Sequence, residues 1–118
     1  MGKIRFKAKM DSNDEKYIVE GKSIYNDNRI IYQEKNLQVT ILLLNNKIEM
    51  TRSCNDYKIN LIFEKDCITE STYQIFGGAK QFSLETKTQK LIISDKKIII
   101  DYILEDNEFS YVLEMEKI

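Results

Sequence analysis

Apolar and polar residues alternate with a period of two along most of this 118-residue chain. In KIRFKAKM, residues 3 to 10, Ile4, Phe6, Ala8 and Met10 share one face and the basic residues take the other. Such alternation buries one side of a strand and leaves the other in water. It returns in EKYIVEGKSIY, NRIIYQE, LQVTILLL, KIEMTR, DYKINLIFE and CITESTYQIF. AKQFSLETKT, KLIIS, KKIIIDYILE and EFSYVLEMEKI complete the series. Between these segments stand DSND (11 to 14), Asn26-Asp27-Asn28, Asn45-Asn46, Lys65-Asp66, Gly77-Gly78, Asp95-Lys96 and Asp106-Asn107. Asn, Asp and Gly tolerate the positive φ angles of tight reversals, so these stretches predict hairpin turns.

Short connections pair sequence neighbours as spatial neighbours, and closure removes exposed strand edges. The pattern therefore predicts an all-β domain over residues 1–118. Its architecture is a single closed or nearly closed antiparallel up-and-down β-barrel of eight to ten strands. Gly21, inside EKYIVEGKSIY, is where a barrel strand can bend sharply. LQVTILLLNNKIEM is the most helix-like stretch, but its β-branched residues and central Asn-Asn favour two strands and a turn. A short helix near the start is the one helical element the pattern leaves room for.

One strand breaks the rule. KIEMTRSC, residues 47 to 54, aligns Ile48 and Met50 with Arg52, so an apolar face ends in a guanidinium. An inward arginine is a ligand anchor, half of a buried ion pair, or a rim residue reaching water. The same parity puts Glu34 beside Ile30 and Tyr32, Tyr73 beside Ile75, and Tyr102 beside Ile98 and Ile100.

Composition narrows the chemistry. Eighteen basic residues nearly balance nineteen acidic ones without forming a block, so nothing in the charge favours nucleic acid or an anionic membrane. No apolar run approaches the roughly 20 residues that span a bilayer. The start, MGKIRFKAKM, lacks a signal-peptide core, and Phe6 breaks the myristoylation pattern, so a cytoplasmic location is expected. Cys54 and Cys67 read as two free thiols there. The chain has no histidine, which removes the commonest general base and argues against a metal site; no cofactor is expected.

IYQE (31 to 34), MTRS (50 to 53), LIFEK (61 to 65), STYQIFGG (71 to 78) and IIIDYIL (98 to 104) occur in an order and spacing that resembles the YwiB-like family. These are uncharacterised small proteins of Gram-positive bacteria classed with the calycin, or lipocalin-like, β-barrels. The resemblance covers nearly the whole chain and implies a calycin-type barrel without an established activity. Tyr32, Glu34, Arg52, Phe63, Tyr73, Gly77 and Tyr102 match recurring family positions. Cys54 stands where a glycine is expected, and Ile75-Phe76 replaces a more polar approach to the turn.

The inward polar minority suggests three functions. In the first, Arg52, with Glu34, Tyr32, Tyr73 and Tyr102, holds a small apolar or carboxylate ligand inside the barrel. In the second, Glu34 pairs with Arg52 in a filled barrel that meets a protein partner through its outer surface. In the third, Glu34 is a general base and Arg52 stabilises an anion. The third lacks a nucleophile–base pair, a phosphate loop and a metal cluster, so a non-enzymatic role is expected.

Overall fold

The computed structural model describes residues 2–12, 15–77 and 80–117. Asn13, Asp14 and Gly78, which belong to two of the expected turns, lie outside the described residues. Ten antiparallel strands form a closed barrel in which each strand pairs with its neighbours in sequence and β1 closes on β10. They are β1 (Gly2–Ser12), β2 (Lys16–Asn26), β3 (Arg29–Glu34), β4 (Leu37–Leu44) and β5 (Lys47–Ser53), then β6 (Tyr57–Glu64), β7 (Ile68–Ile75), β8 (Lys80–Ile93), β9 (Lys97–Leu104) and β10 (Asn107–Lys117). The all-β up-and-down barrel expected from the alternation is therefore the fold. No helix occurs among the described residues, so the short helix near the start is replaced by β1 and β2.

The turns take their shape from their residues. Asp27, Asn46, Asp66 and Asp106 all carry positive φ, between 54° and 75°, where Asn and Asp are tolerated best among side-chain-bearing residues. Lys35 and Glu105 do so as well, at 48° and 45°, without a sequence cue. AKQFSLETKT and KLIIS, which read as two strands, contribute Lys80–Ile93 to one long strand, and Ala79 lies outside the described residues. The register of β8 against β9 shifts between Thr88 and Lys90, and this bulge re-phases the alternation so that Leu91 continues the inward face.

The inward face is packed solid. Ile30, Val39, Ile41, Ile48, Met50, Phe63, Ile98, Ile100 and Leu113 are wholly buried. Two aromatic contacts cross the interior: Phe6 on Tyr32, with ring centroids 4.4 Å apart, and Phe63 on Tyr102 at 4.6 Å. Barrels of this size can be filled by their own side chains, and this one is.

Two of the ladders are short. β6 pairs with β7 only from Tyr57–Ile75 to Asn60–Thr72. Beyond that point hydroxyls replace the ladder: the Ile62 N–H donates to Ser71 Oγ and the Glu64 N–H to Thr88 Oγ1. Thr69 Oγ1 donates to the Ile62 carbonyl, and Ser71 and Thr86 hydroxyls join at 2.7 Å. The other break lies between β2 and β3. β2 pairs with β1 along its length, from Gly2–Tyr25 to Asp11–Lys16, but with β3 only at Ile24–Ile31, Tyr25–Ile30 and Asn26–Arg29. The upper half of β2 thus stands apart from β3.

Candidate functional site

In an up-and-down barrel alternate turns gather at the same mouth. The β1–β2, β3–β4 and β5–β6 connections share one, and Arg52 lies one residue inside it. No register shift occurs along β5, so parity is preserved and Arg52 continues the face of Ile48 and Met50. Val39 lies opposite Arg52 on β4 and Ile59 on β6, which leaves the guanidinium no polar cross-strand neighbour. It therefore reaches across the break between β2 and β3.

There it meets Glu34 and Tyr17. Arg52 Nη2 donates to Glu34 Oε2 at 2.6 Å and to Tyr17 Oη at 2.8 Å. The ion pair is largely removed from water, with the two side chains 13% and 8% exposed. Behind it the tyrosines form a chain. Tyr32 Oη donates to Glu34 Oε1 over a long 3.4 Å, which leaves the Tyr32 oxygen free to accept from Tyr111 Oη at 2.8 Å. Burial works against the Arg52 charge, but Tyr17 and Glu34 more than offset it and hold the guanidinium firmly protonated. Burial likewise pushes the hydroxyls of Tyr17, Tyr32, Tyr102 and Tyr111 above the usual tyrosine range; the Arg52 charge opposes this in each and does not prevail.

One polar atom of this assembly is left over. Arg52 Nη1 is buried and has no hydrogen-bond partner among the described residues. Arg52 and Glu34 also line an open cleft of about 910 Å³, between Tyr17 and Val19 on β2, Leu37 on β4 and Tyr57 on β6. Among the described residues its walls carry three acidic side chains, Glu15, Glu34 and Asp56, against three basic ones, Lys16, Lys35 and Arg52. The opposite mouth holds a depression of about 740 Å³ among Ile4, Tyr25, Leu43 and Met115, and no buried ionisable group lines it.

Of the five residues singled out from the sequence, Arg52, Glu34 and Tyr32 come together. Tyr102 is buried on the same inward face, but its hydroxyl points to Met10 Sδ, 4.0 Å away, not to the pair. Tyr73 stands at the rim of the β7–β8 hairpin, stacked on Tyr57 with centroids 5.7 Å apart, and it does not line the cleft. The interior beside Arg52 is occupied by core side chains, so the place open to a ligand is the mouth and not the barrel's inside. Tyr17 and Tyr111 belong to the network although the sequence does not single them out. Their alternation with Val19 and with Leu113 is the signal available.

Cys54 and Cys67 are free, and Cys54 lines the cleft. Its N–H donates to the Tyr57 carbonyl at 3.0 Å, closing the β5–β6 turn without the glycine that the family resemblance implies. Among the described residues no group of His, Cys, Asp and Glu has the make-up of a metal site.

Residues 3–115 match the family described as a domain of unknown function, DUF1934. No curated protein matches the chain. Among solved structures, the crystal structure of the ywiB protein from Bacillus subtilis is similar, with a TM-score of 0.64 at 14% identity. The match covers 98% of this chain and 89% of that one. At that identity the likeness concerns the fold, and it agrees with the resemblance carried by IYQE, MTRS, LIFEK, STYQIFGG and IIIDYIL.

Proposed function

The chain belongs to the DUF1934 family of domains of unknown function, and on that footing we propose that it is a non-enzymatic binding module. Its seat is the cleft at the barrel mouth over Arg52 and Glu34. Its ligand is a small molecule that joins an apolar body to an oxygen acceptor such as a carboxylate. The observation that carries this reading is the second amine of Arg52. Nη2 is saturated by Glu34 and Tyr17, whereas Nη1 is withdrawn from water without a partner among the described residues. A buried donor left unmade costs about 1–3 kcal/mol, and a small turn of the guanidinium that brings Nη1 to an acceptor in the cleft recovers that cost. Leu37, Val19 and Tyr57 supply apolar walls for the rest of the molecule. Because Glu34 already neutralises Arg52, the acceptor adds to the ion pair and does not replace it. Binding is accordingly held by shape and hydrogen bonding more than by charge.

Native mass spectrometry of the gently purified protein, beside a denatured sample, tests this. The substitution Arg52→Lys keeps a positive partner for Glu34 but removes the planar fork and with it Nη1. The expected result is an extra mass on the native protein that is missing from the denatured sample and from Arg52→Lys. A bare polypeptide mass throughout would overturn the reading. It would favour a second one, which the 2.6 Å contact and the packed interior also support: a filled barrel, held at its mouth by the ion pair, that meets a protein through its outer surface.

A further inference from the structure

The break between β2 and β3 leaves a row of backbone groups without a ladder. Asn26 and Arg29 flank a two-residue turn, the position at which a hairpin pair exchanges its hydrogen bonds, so the N–H and C=O of Asn26 point at β3. By alternation the same holds for Ile24, Lys22, Glu20, Ile18 and Lys16. The bond from the Ser12 N–H to the Glu15 carbonyl at the other end of β2 gives the same phase. Pairing with β3 stops at Ile24. Among the described residues no hydrogen bond reaches the β3-facing groups of Ile18, Glu20 or Lys22. At the other ladder break the loose amides of Ile62 and Glu64 are satisfied by Ser71 and Thr88 hydroxyls. No such substitute serves β2 among the described residues.

An open strand edge is a template for another strand. We infer that the upper half of β2 is the interface for a second copy of this chain, the two β2 strands running antiparallel about Ile18. The charges and the length of free strand together select the partner and the register. Centred on Ile18, the pairing sets Lys16 against Glu20 of the second copy, twice by symmetry, with Ile18 on Ile18 between them. Centred on Glu20, the pairing would set glutamate against glutamate; centred on Gly21 it would set Glu20 against Lys22, but over the shorter stretch from Val19 to Ser23, because Ile24 is already paired with β3. Like charges directly opposite are destabilising, and opposite ones contribute.

The side chains suit the same register. Ile18 is 59% exposed, the most exposed large apolar residue on β2. On the other face of the strand the pairing sets Tyr17 against Val19, both only half-buried in the single chain. Lys16 is free to turn to a new partner: it lies 3.8 Å from Asp11, with its side chain 81% exposed. The interface is isologous and closes as a dimer. It uses backbone edge and outward charges, and so it does not rest on the ligand reading of Arg52.

Sedimentation velocity over a range of protein concentrations tests it, with three charge variants of exposed residues. Wild type is expected to form dimers. Glu20→Lys and Lys16→Glu each turn both attractive pairs repulsive and weaken the dimer by about tenfold or more. The double variant Lys16→Glu/Glu20→Lys restores opposite charges and with them the dimer. A protein that stays monomeric at every concentration would overturn the inference. So would a dimer indifferent to Glu20→Lys, or one that the double variant fails to rescue. Arg52→Lys leaves this edge intact, and Glu20, unlike Lys16, does not line the cleft over Arg52, so Glu20→Lys makes the two proposals fail separately.

Discussion

Replacing Arg52 with methionine is expected to destabilise the barrel by about 3–5 kcal/mol, because it leaves the Glu34 carboxylate buried and uncompensated. With the guanidinium gone, Glu34 keeps only the long hydrogen bond from Tyr32 among the described residues, and Tyr17 loses the one from Arg52. For a domain of this size the loss lowers the melting temperature by about 10–20 °C. Adding Glu34→Gln removes the charge that made the first substitution harmful, and the double variant should recover much of the loss. The coupling is the diagnostic. Residues in one hydrogen-bonded network are non-additive, whereas independent sites simply sum. Thermal melts of Arg52→Met, Glu34→Gln and the pair that add without coupling would contradict the contact as an energetic unit. A tolerated Arg52→Met would mean that the guanidinium serves a ligand only.

The second large effect is at alkaline pH. Tyr17, Tyr32, Tyr102 and Tyr111 are all held protonated beyond the ordinary range, with burial the leading cause in each. In the unfolded chain a tyrosine ionises near pH ~10. Above that value the unfolded state has lost protons that the folded state keeps, so stability falls as pH rises. The contribution is fully present below pH ~10 and is lost progressively as pH climbs toward the folded values. Each tyrosine that stays protonated only in the folded state steepens this fall. Tyrosinate absorbance and circular dichroism should therefore change together: these four residues ionise as the barrel unfolds, in one cooperative step. Ionisation of all seven tyrosines near their ordinary value with the β-structure intact would contradict the network.

Much of this arrangement is legible in the chain, for local reasons. A period of two reports which residues share a face, and Asn or Asp at four reversals reports where strands end. Arg52 reads as inward because its strand runs from Lys47 without a bulge, so each side chain keeps its phase. Glu34 emerges from the same count along β3. What parity does not report is height along the barrel axis. Tyr73 and Tyr102 share the inward face with Arg52, yet one lies at the rim on Tyr57 and the other deeper, beside Met10.

Register between strands is non-local, and it hides the rest. Nothing near Gln89 marks the bulge that merges two expected strands into β8, for neither glycine nor proline stands there. Nothing in EKYIVEGKSIY says that its first half will lack a partner on one side. The hydroxyls of Ser71, Thr86 and Thr88 look like ordinary strand residues, although they stand in for a missing ladder. Tyr17 escapes a reading of the sequence because its importance comes from that gap, which brings it to Arg52, 35 residues away. The residues of the proposed site are where the regular pattern is interrupted, as expected when local consistency is relaxed at a site.

The barrel is filled and closed, with one ladder break sealed by hydroxyls and the other left open above the Arg52–Glu34 pair. Residue-resolved amide hydrogen exchange on the wild-type protein, at a concentration dilute enough to keep single copies, tests this most directly. The amides of Ile62 and Glu64 are expected to be protected like those of the continuous ladders, whereas Ile18, Glu20 and Lys22 exchange rapidly. Protection of Ile18, Glu20 and Lys22 in the single copy would contradict this arrangement, because β2 would then be paired along its full length and the mouth over Arg52 would be shut.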